Sequence, residues 1–232
     1  MSRKSRDGTP DSVSGIDYRF EDPFLLREAL THRSVGAGNY ERLEFLGDSV
    51  LNLVVAMRLY ERHPDAPEGD LSRMRARLVR GATLTEVAAG LGLGQQVKLG
   101  EGELKSGGFR RASILADAFE ALLGAIFIDG GYEACRGVVL QLFDPLIERL
   151  PDAEALKDAK TRLQEWLQAR SRPLPQYRLE REEGADHAKK FHVAVHLQDD
   201  GTTVSAEGSS RRKAEQAAAA LLLETLEGKG AP

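Results

Sequence analysis

Five acidic side chains stand where their spacing could do chemistry. Glu41, Glu44 and Asp48 lie within Glu41-Arg42-Leu43-Glu44-Phe45-Leu46-Gly47-Asp48-Ser49-Val50-Leu51, and Asp117 and Glu120 within residues 113–128. Glu44 and Asp48 are one helical turn apart, roughly 6 Å along an axis. Asp117 and Glu120, three apart, project from one face. Such oxygen donors suit a hard cation: Mg²⁺ sits at about 2.0–2.1 Å from carboxylate oxygens and keeps several waters. No cysteine or histidine is near in sequence, which disfavours zinc. An ion held this way would activate water, polarise a phosphodiester and stabilise the leaving oxygen. A carboxylate pair acting as acid and base on a glycoside is an alternative that does not need so many acids. For Asp117 and Glu120, pairing with arginine or a shared proton are the plainer alternatives.

The elements that must carry these acids are apolar. Over residues 39–62 the spacing predicts a helix with Leu43, Leu46, Val50, Val54 and Met57 on one stripe. Its other side continues as Val55 and Leu59, flanked by Phe45 and Leu51, so the helix is expected to be buried in a core or an interface. Residues 113–128 predict a second buried helix whose only charged groups are Asp117 and Glu120. A helix over 132–150, able to bend at Pro145, completes this part. Before them come an expected short helix after Pro23, a connector over 31–39, a breaker-rich linker over 64–69 and a helix over 83–93. Residues 70–80 interleave Arg73, Arg75, Arg77 and Arg80 with apolar positions, either a solvated face or a row serving a polyanion or the acids. The glycine-rich run 100–108 lacks the GxxxxGK[ST] spacing and reads as a flexible connector.

After residue 150 the pattern changes. Residues 151–157 read as a linker, 158–170 as a helix, 176–182 and 190–197 as alternating strands. Asp199-Asp200-Gly201 signals a hairpin turn, 202–208 a third strand, and 210–226 an alanine-rich helix, giving the order α-β-β-β-α. Residues 158–228 hold 11 basic and 12 acidic side chains, yet Arg211, Arg212 and Lys213 are consecutive at the start of the last helix. Cations there oppose the helix dipole, and the placement is explained by a phosphate docking on amides and side chains together. A solvated charge run is the plainer alternative. His192 and His196 share one strand face and are expected to meet solvent, and His187, in a loop, could reach a nucleic-acid groove.

The whole chain bounds the possibilities. It has 232 residues, 41% apolar and 29% charged, with net charge −4, which fits one or two globular domains and demands that any basic surface be local. The lone Cys135 excludes an internal disulfide and reads as a packing residue in a reducing compartment. Residues 1–14 read as a flexible polar tail without the apolar core of a secretory signal. Residues 114–128 are short for a span and interrupted by acids, so no membrane association and a cytoplasmic location are expected.

With these motifs in view, Glu41 to Ser49 (ERLEFLGDS) matches the signature of the ribonuclease III family. Residues 67–75 and 115–121 resemble its other acidic motifs, and the C-terminal part looks like a double-stranded-RNA-binding domain. The resemblance implies an all-α nuclease domain over 15–150, a linker over 151–157 and a small α+β binding domain over 158–228, working as a homodimer. It further implies that Glu44, Asp48, Asp117 and Glu120 hold Mg²⁺ (or Mn²⁺ in its place), with Asp48 and Glu120 most critical for cleavage. Glu41 and Glu68 match acids lining the cleft, and Phe45 matches an aromatic at the dimer interface. Thr161, Gln164 and Glu165 match minor-groove positions of the first binding helix, and His187 matches the loop entering the next minor groove. Arg211, Arg212 and Lys213 match the phosphate-clamping segment. The implied activity is hydrolysis of double-stranded RNA, leaving 5′-phosphates and 3′-hydroxyls, on ribosomal RNA precursors and some messenger RNAs. One departure stands out: many such domains place a third lysine where this chain has Glu215.

Overall fold

The computed structural model describes residues 11–151, 157–184 and 189–228. The chain divides into two compact units, 1–153 and 154–232. The first is helical, with α1 (Pro23–Ala29), α2 (Glu41–Arg62), α3 (Glu68–Leu78), α4 (Gly81–Gly90), α5 (Leu93–Gln96), α6 (Glu101–Lys105) and α7 (Ala112–Glu148). Among the described residues no helix is long and apolar enough to cross a membrane.

The first half of α7 is the centre of the unit. Leu122, Leu123, Ala125, Ile126 and Phe119 are fully buried there, and α1, α2 and α4 pack around it. α2 lies closest, and two glycines explain why. A side chain at Gly47 would overlap the Glu120 carbonyl, reaching its carbon at 2.6 Å, and one at Gly124 would come within 2.9 Å of the Leu43 carbonyl carbon. The two backbones therefore touch where other residues would hold them apart. Farther along, Arg58 donates from Nε and Nη2 to both oxygens of Asp144, each at 2.7 Å, tying α2 to the second half of α7.

Several expectations need correction. Pro145 sits within helical backbone, and the break in α7 falls instead at Gly131 (φ 77°, ψ −173°), a conformation open to glycine alone that separates the two helices expected over 113–128 and 132–150. The run 100–108 is not a loose connector: it contains α6, and Arg111 bridges to Glu103 at 2.6 Å just beyond it. The tail expected over 1–14 is too long, because Ser12 pairs with Arg19 and Val13 is buried. Within one chain α2 is buried on one side only: Phe45, Leu53, Met57 and Tyr60 form an exposed stripe, with Phe45 78% accessible. The expected linker falls largely on residues 152–156, outside the described residues.

The second unit follows the expected order, α8 (Ala159–Gln168), β1 (Gln176–Glu183), β2 (Lys190–His196), β3 (Thr203–Gly208) and α9 (Arg211–Gly228). The strands form one antiparallel sheet in the order β1-β2-β3, with a bulge between Leu179 and Arg181. Alternation turns Val193 and Val195 inward, both fully buried, and Val195 packs with Leu163, Leu167, Ala218 and Leu222 of the helices. Gly201 (φ 72°) closes the β2–β3 turn, which Arg172 braces through Asp199 and Asp200. His192 and His196 occupy the outer face half-buried rather than open to solvent, and His196 meets Thr203 at 2.9 Å.

Gly47→Ala and Gly124→Ala are each expected to cost about 1–3 kcal/mol through overpacking. Thermal unfolding should show a drop of several degrees, with Gly81→Ala, in open space, as the control. A Gly47→Ala protein as stable as wild type would show that the helices can separate freely.

Candidate active site

The crossing of α2 and α7 creates a cleft of about 700 Å³ whose walls include Glu41, Glu44, Asp48, Asp117 and Glu120. Glu41 and Glu44 belong to the first turn of α2, where the helix dipole favours negative charge. Glu120 lies one turn before Gly124, so the glycine contact delivers it to α2. Glu44, Asp117 and Glu120 each offer a carboxylate oxygen, and these lie within 4.8 Å of one another. All three are half-buried.

Charges gathered this way oppose each other's ionisation. Burial pushes the Glu120 carboxyl up to about 8, and the neighbouring Asp48, Glu44 and Asp117 add to the shift. Glu44 is raised by burial and by Asp117 and Glu41, with Arg33 working against them. Asp117 is raised by burial, moderated by the Tyr40 hydroxyl, Arg33 and His32. Arg33 lies 3.6 Å from Glu41, and no other cation among the described residues bridges to one of these five acids. The donor set is therefore all oxygen, crowded and short of positive charge. That fits a hard divalent cation.

The structure separates the expected site residues. Glu44, Asp117 and Glu120 converge. Asp48 borders the same cleft but stands outside the three-oxygen group, exposed, and accepts from Asn52 Nδ2 at 2.8 Å. Glu41 sits exposed at the mouth against Arg33. Glu68 is not in the cleft. It accepts from Ser72 Oγ at 2.6 Å and borders a different cavity, with Met57, Tyr60 and Leu71. None of the α3 arginines lines the acid cleft, and Arg73 is paired with Asp70. Cys135 is inert packing: it is fully buried, and burial pushes its thiol up to about 12.

Sequence reasoning missed the rest of the wall. His32, Arg33 and Tyr40 come from the connector before α2, and Glu103 and Arg111 from the glycine-rich region. Tyr40 is only 2% exposed and donates to Asp117 Oδ2 at 3.5 Å, with the His32 ring edge-on at 5.5 Å. His32 Nδ1 accepts the Ser34 amide, and Ser34 Oγ accepts the Gly100 amide at 2.8 Å, so this wall is braced from behind. The available signal was a polar Thr31-His32-Arg33-Ser34 run immediately before an acidic helix.

In the second unit, Thr161, Gln164 and Glu165 share one face of α8, in the i, i+3, i+4 pattern. Arg211, Arg212 and Lys213 are exposed at the start of α9, where Ser210 Oγ accepts the Lys213 amide at 3.2 Å. His187 lies outside the described residues.

The raised value of Glu120 fixes a sign. Its folded pKa of about 8 exceeds the ordinary 4.5, so its protonated form stabilises the metal-free fold at low pH, and this contribution is lost as pH rises through about 8. The metal-free protein should therefore lose thermal stability from about pH 5 to 8 on account of this group. Added Mg²⁺ or Mn²⁺ should restore it increasingly over the same window, because cation and proton compete. Glu120→Gln should flatten both trends. Equal trends in wild type and variant would detach Glu120 from the effect.

Comparison with known proteins agrees with this geometry. A family model described as Ribonuclease-III-like matches residues 22–146, and one described as Double-stranded RNA binding motif matches 159–226. A Ribonuclease 3 of Alkalilimnicola ehrlichii is 55% identical over 214 residues, 92% of this chain and 94% of that protein. One from Dechloromonas aromatica is 54% identical over 211 residues, 91% of this chain and 95% of that protein. The crystal structure of the nuclease domain of ribonuclease III from Campylobacter jejuni is 41% identical, covering 58% of this chain and 92% of its own, with a TM-score of 0.55. A second Campylobacter jejuni structure, described as showing flexibility in a region involved in dimer formation, is 43% identical, covering 55% of this chain and 90% of its own, with a TM-score of 0.54. The first family model spans more than half of the chain and these relatives match over nine tenths of it, so the chain belongs to the ribonuclease III family.

Proposed function

We propose that this chain is a Mg²⁺-dependent endoribonuclease of double-stranded RNA, with Mn²⁺ able to substitute. It hydrolyses phosphodiesters to 5′-phosphate and 3′-hydroxyl ends, and its substrates are ribosomal RNA precursors and structured messenger RNAs in the cytoplasm. The observation that carries this reading is the convergence of Glu44, Asp117 and Glu120 in a cleft on the same chain as a double-stranded RNA binding motif. A cation held by these acids, with Asp48 at the rim, would supply the Lewis acidity that phosphodiester hydrolysis needs. The protein's own part is to hold the acids together, half-buried, and to brace Asp117 through Tyr40. Arg33 and Arg111 add guanidinium groups at the walls, where a phosphate backbone would pass. In the second unit, the α8 face of Thr161, Gln164 and Glu165 meets the minor groove with the His187 loop. Arg211, Arg212 and Lys213 clamp the phosphates between.

The working form is a homodimer. Phe45 protrudes at one end of the exposed stripe on α2, and near the other end lies a cavity of about 470 Å³ bordered by Met57, Leu59, Tyr60 and Leu71. A two-fold arrangement lets each Phe45 enter the other copy's cavity, an isologous contact. It also gives Glu68 a role. This acid borders the cavity, so dimerisation carries it toward the partner copy's cleft.

Incubating the protein with a long RNA duplex, with and without EDTA and beside single-stranded RNA, tests the activity. Fragmentation of the duplex alone, dependent on Mg²⁺, is expected. Glu120→Ala or Asp48→Ala should lower cleavage roughly a thousandfold or more while duplex binding persists. Full activity in either variant would overturn the site, and an intact but shifted duplex with wild type would favour a non-cleaving RNA-binding regulator. For the dimer, Phe45→Asp should convert the species seen by light scattering from dimer to monomer. A wild-type protein that is monomeric at micromolar concentration would overturn the dimer.

A further inference from the structure

Glu215 is the one acid in the cationic start of α9, and its surroundings do not look like a lost phosphate contact. Its Oε2 accepts from Lys160 Nζ at 2.8 Å, and its Oε1 accepts from Arg211 Nε at 3.0 Å. The carboxylate is sunk beneath the two cations it holds: its side chain is 15% exposed, against 36% for Lys160 and 61% for Arg211. Lys160 rests 4.2 Å above the Tyr177 ring, and its backbone amide donates to Gln216 Oε1 at 3.2 Å. The cluster therefore fastens the start of α8 to the start of α9, each by a side chain from the other helix's neighbourhood.

From this geometry we infer that Glu215 is a positioning residue for RNA binding, which sets Lys160 and Arg211 as a fixed pair of phosphate-binding cations. The inference rests on the reading of this unit as a duplex-RNA binder. Lysine and arginine side chains are long and lose much rotamer freedom when they are pinned on a ligand. Here the freedom is already lost before RNA arrives. Arg211 uses only Nε on the acid, which leaves both terminal nitrogens of its exposed side chain available to another acceptor, and Lys160 uses one of three donors. Because the acid lies below and the cations above, an approaching phosphate meets positive charge first. Removing the acid frees both cations to move and to repel each other. A lysine in its place would set a third positive charge against Lys160 and Arg211 at a point where the side chain is largely buried.

Duplex affinity of the full-length protein, measured in Ca²⁺ or EDTA over a series of salt concentrations, distinguishes positioning from simple repulsion. Glu215→Gln and Glu215→Lys should both bind the duplex roughly three- to tenfold more weakly than wild type, with a shallower dependence of log K on log salt because fewer cations engage. In a Lys160→Met/Arg211→Met background, Glu215→Gln should change affinity little, since the residues it acts through are gone. A general loss of folding would instead add to the double variant's defect, and thermal melts of each protein report it directly. Tighter or unchanged binding by Glu215→Gln or Glu215→Lys would overturn the inference. Failure of wild type to bind duplex at all would overturn the RNA-binding reading itself.

Discussion

The contact between Gly47 and Gly124 is the constraint on which the first unit depends. It lets α2 and α7 approach until backbone meets backbone, and the acids flanking the glycines are thereby forced into one another's field. The energetic consequence is visible at Glu120, where burial first and the neighbouring acids second hold the proton to about pH 8. A wider crossing would relieve that repulsion, and it would also dissolve the three-oxygen group. The helices are held at the costly distance by the apolar packing around α7 and by the Arg58–Asp144 pair farther along. Burial free energy of the core thus sustains an electrostatic arrangement that would not form by itself.

How much of this could be read in advance follows from what each signal measures. Acid type and spacing located Glu44, Asp117 and Glu120 because carboxylates on apolar helices are rare and need a reason. The strand alternation, the hairpin turn and the alanine-rich last helix were legible for the same local reason. Periodicity could not tell the inner side of α2 from the stripe carrying Phe45 and Tyr60, since a surface kept apolar for another molecule has the same pattern as a core. Glycine content concealed α6, whose order comes from Glu103 and Arg111 rather than from propensity. Tyr40, just outside the acidic motif, is among the most deeply buried side chains and touches Asp117. Long-range partners of this sort leave no trace in spacing. Glu68 likewise matched a family acid, and only the fold separates it from the cleft within one chain.

The second unit solves the opposite electrostatic problem. Its charge is nearly balanced, so it cannot rely on a broad positive field to gather a polyanion. Its cations are instead exposed at one helix start, where the amides of α9 add their partial positive charge. The acids of that region are turned to internal use. Asp158 caps α8 by accepting the Thr161 amide at 2.9 Å, and Glu215 holds Lys160 and Arg211 from beneath. The result is a surface whose sign is decided by depth rather than by composition.

The acid-lined cleft has a consequence for the order in which ligands can be bound. A phosphodiester backbone and a wall of carboxylates repel each other, so each is a poor ligand for the other until a divalent charge lies between them. Cation and RNA must therefore bind with positive cooperativity. By thermodynamic reciprocity the factor by which the cation tightens RNA in the cleft equals the factor by which RNA tightens the cation. A cleft that is weak toward the free ion can in this way remain discriminating, taking up its cofactor firmly only when a substrate is present to complete the neutralisation.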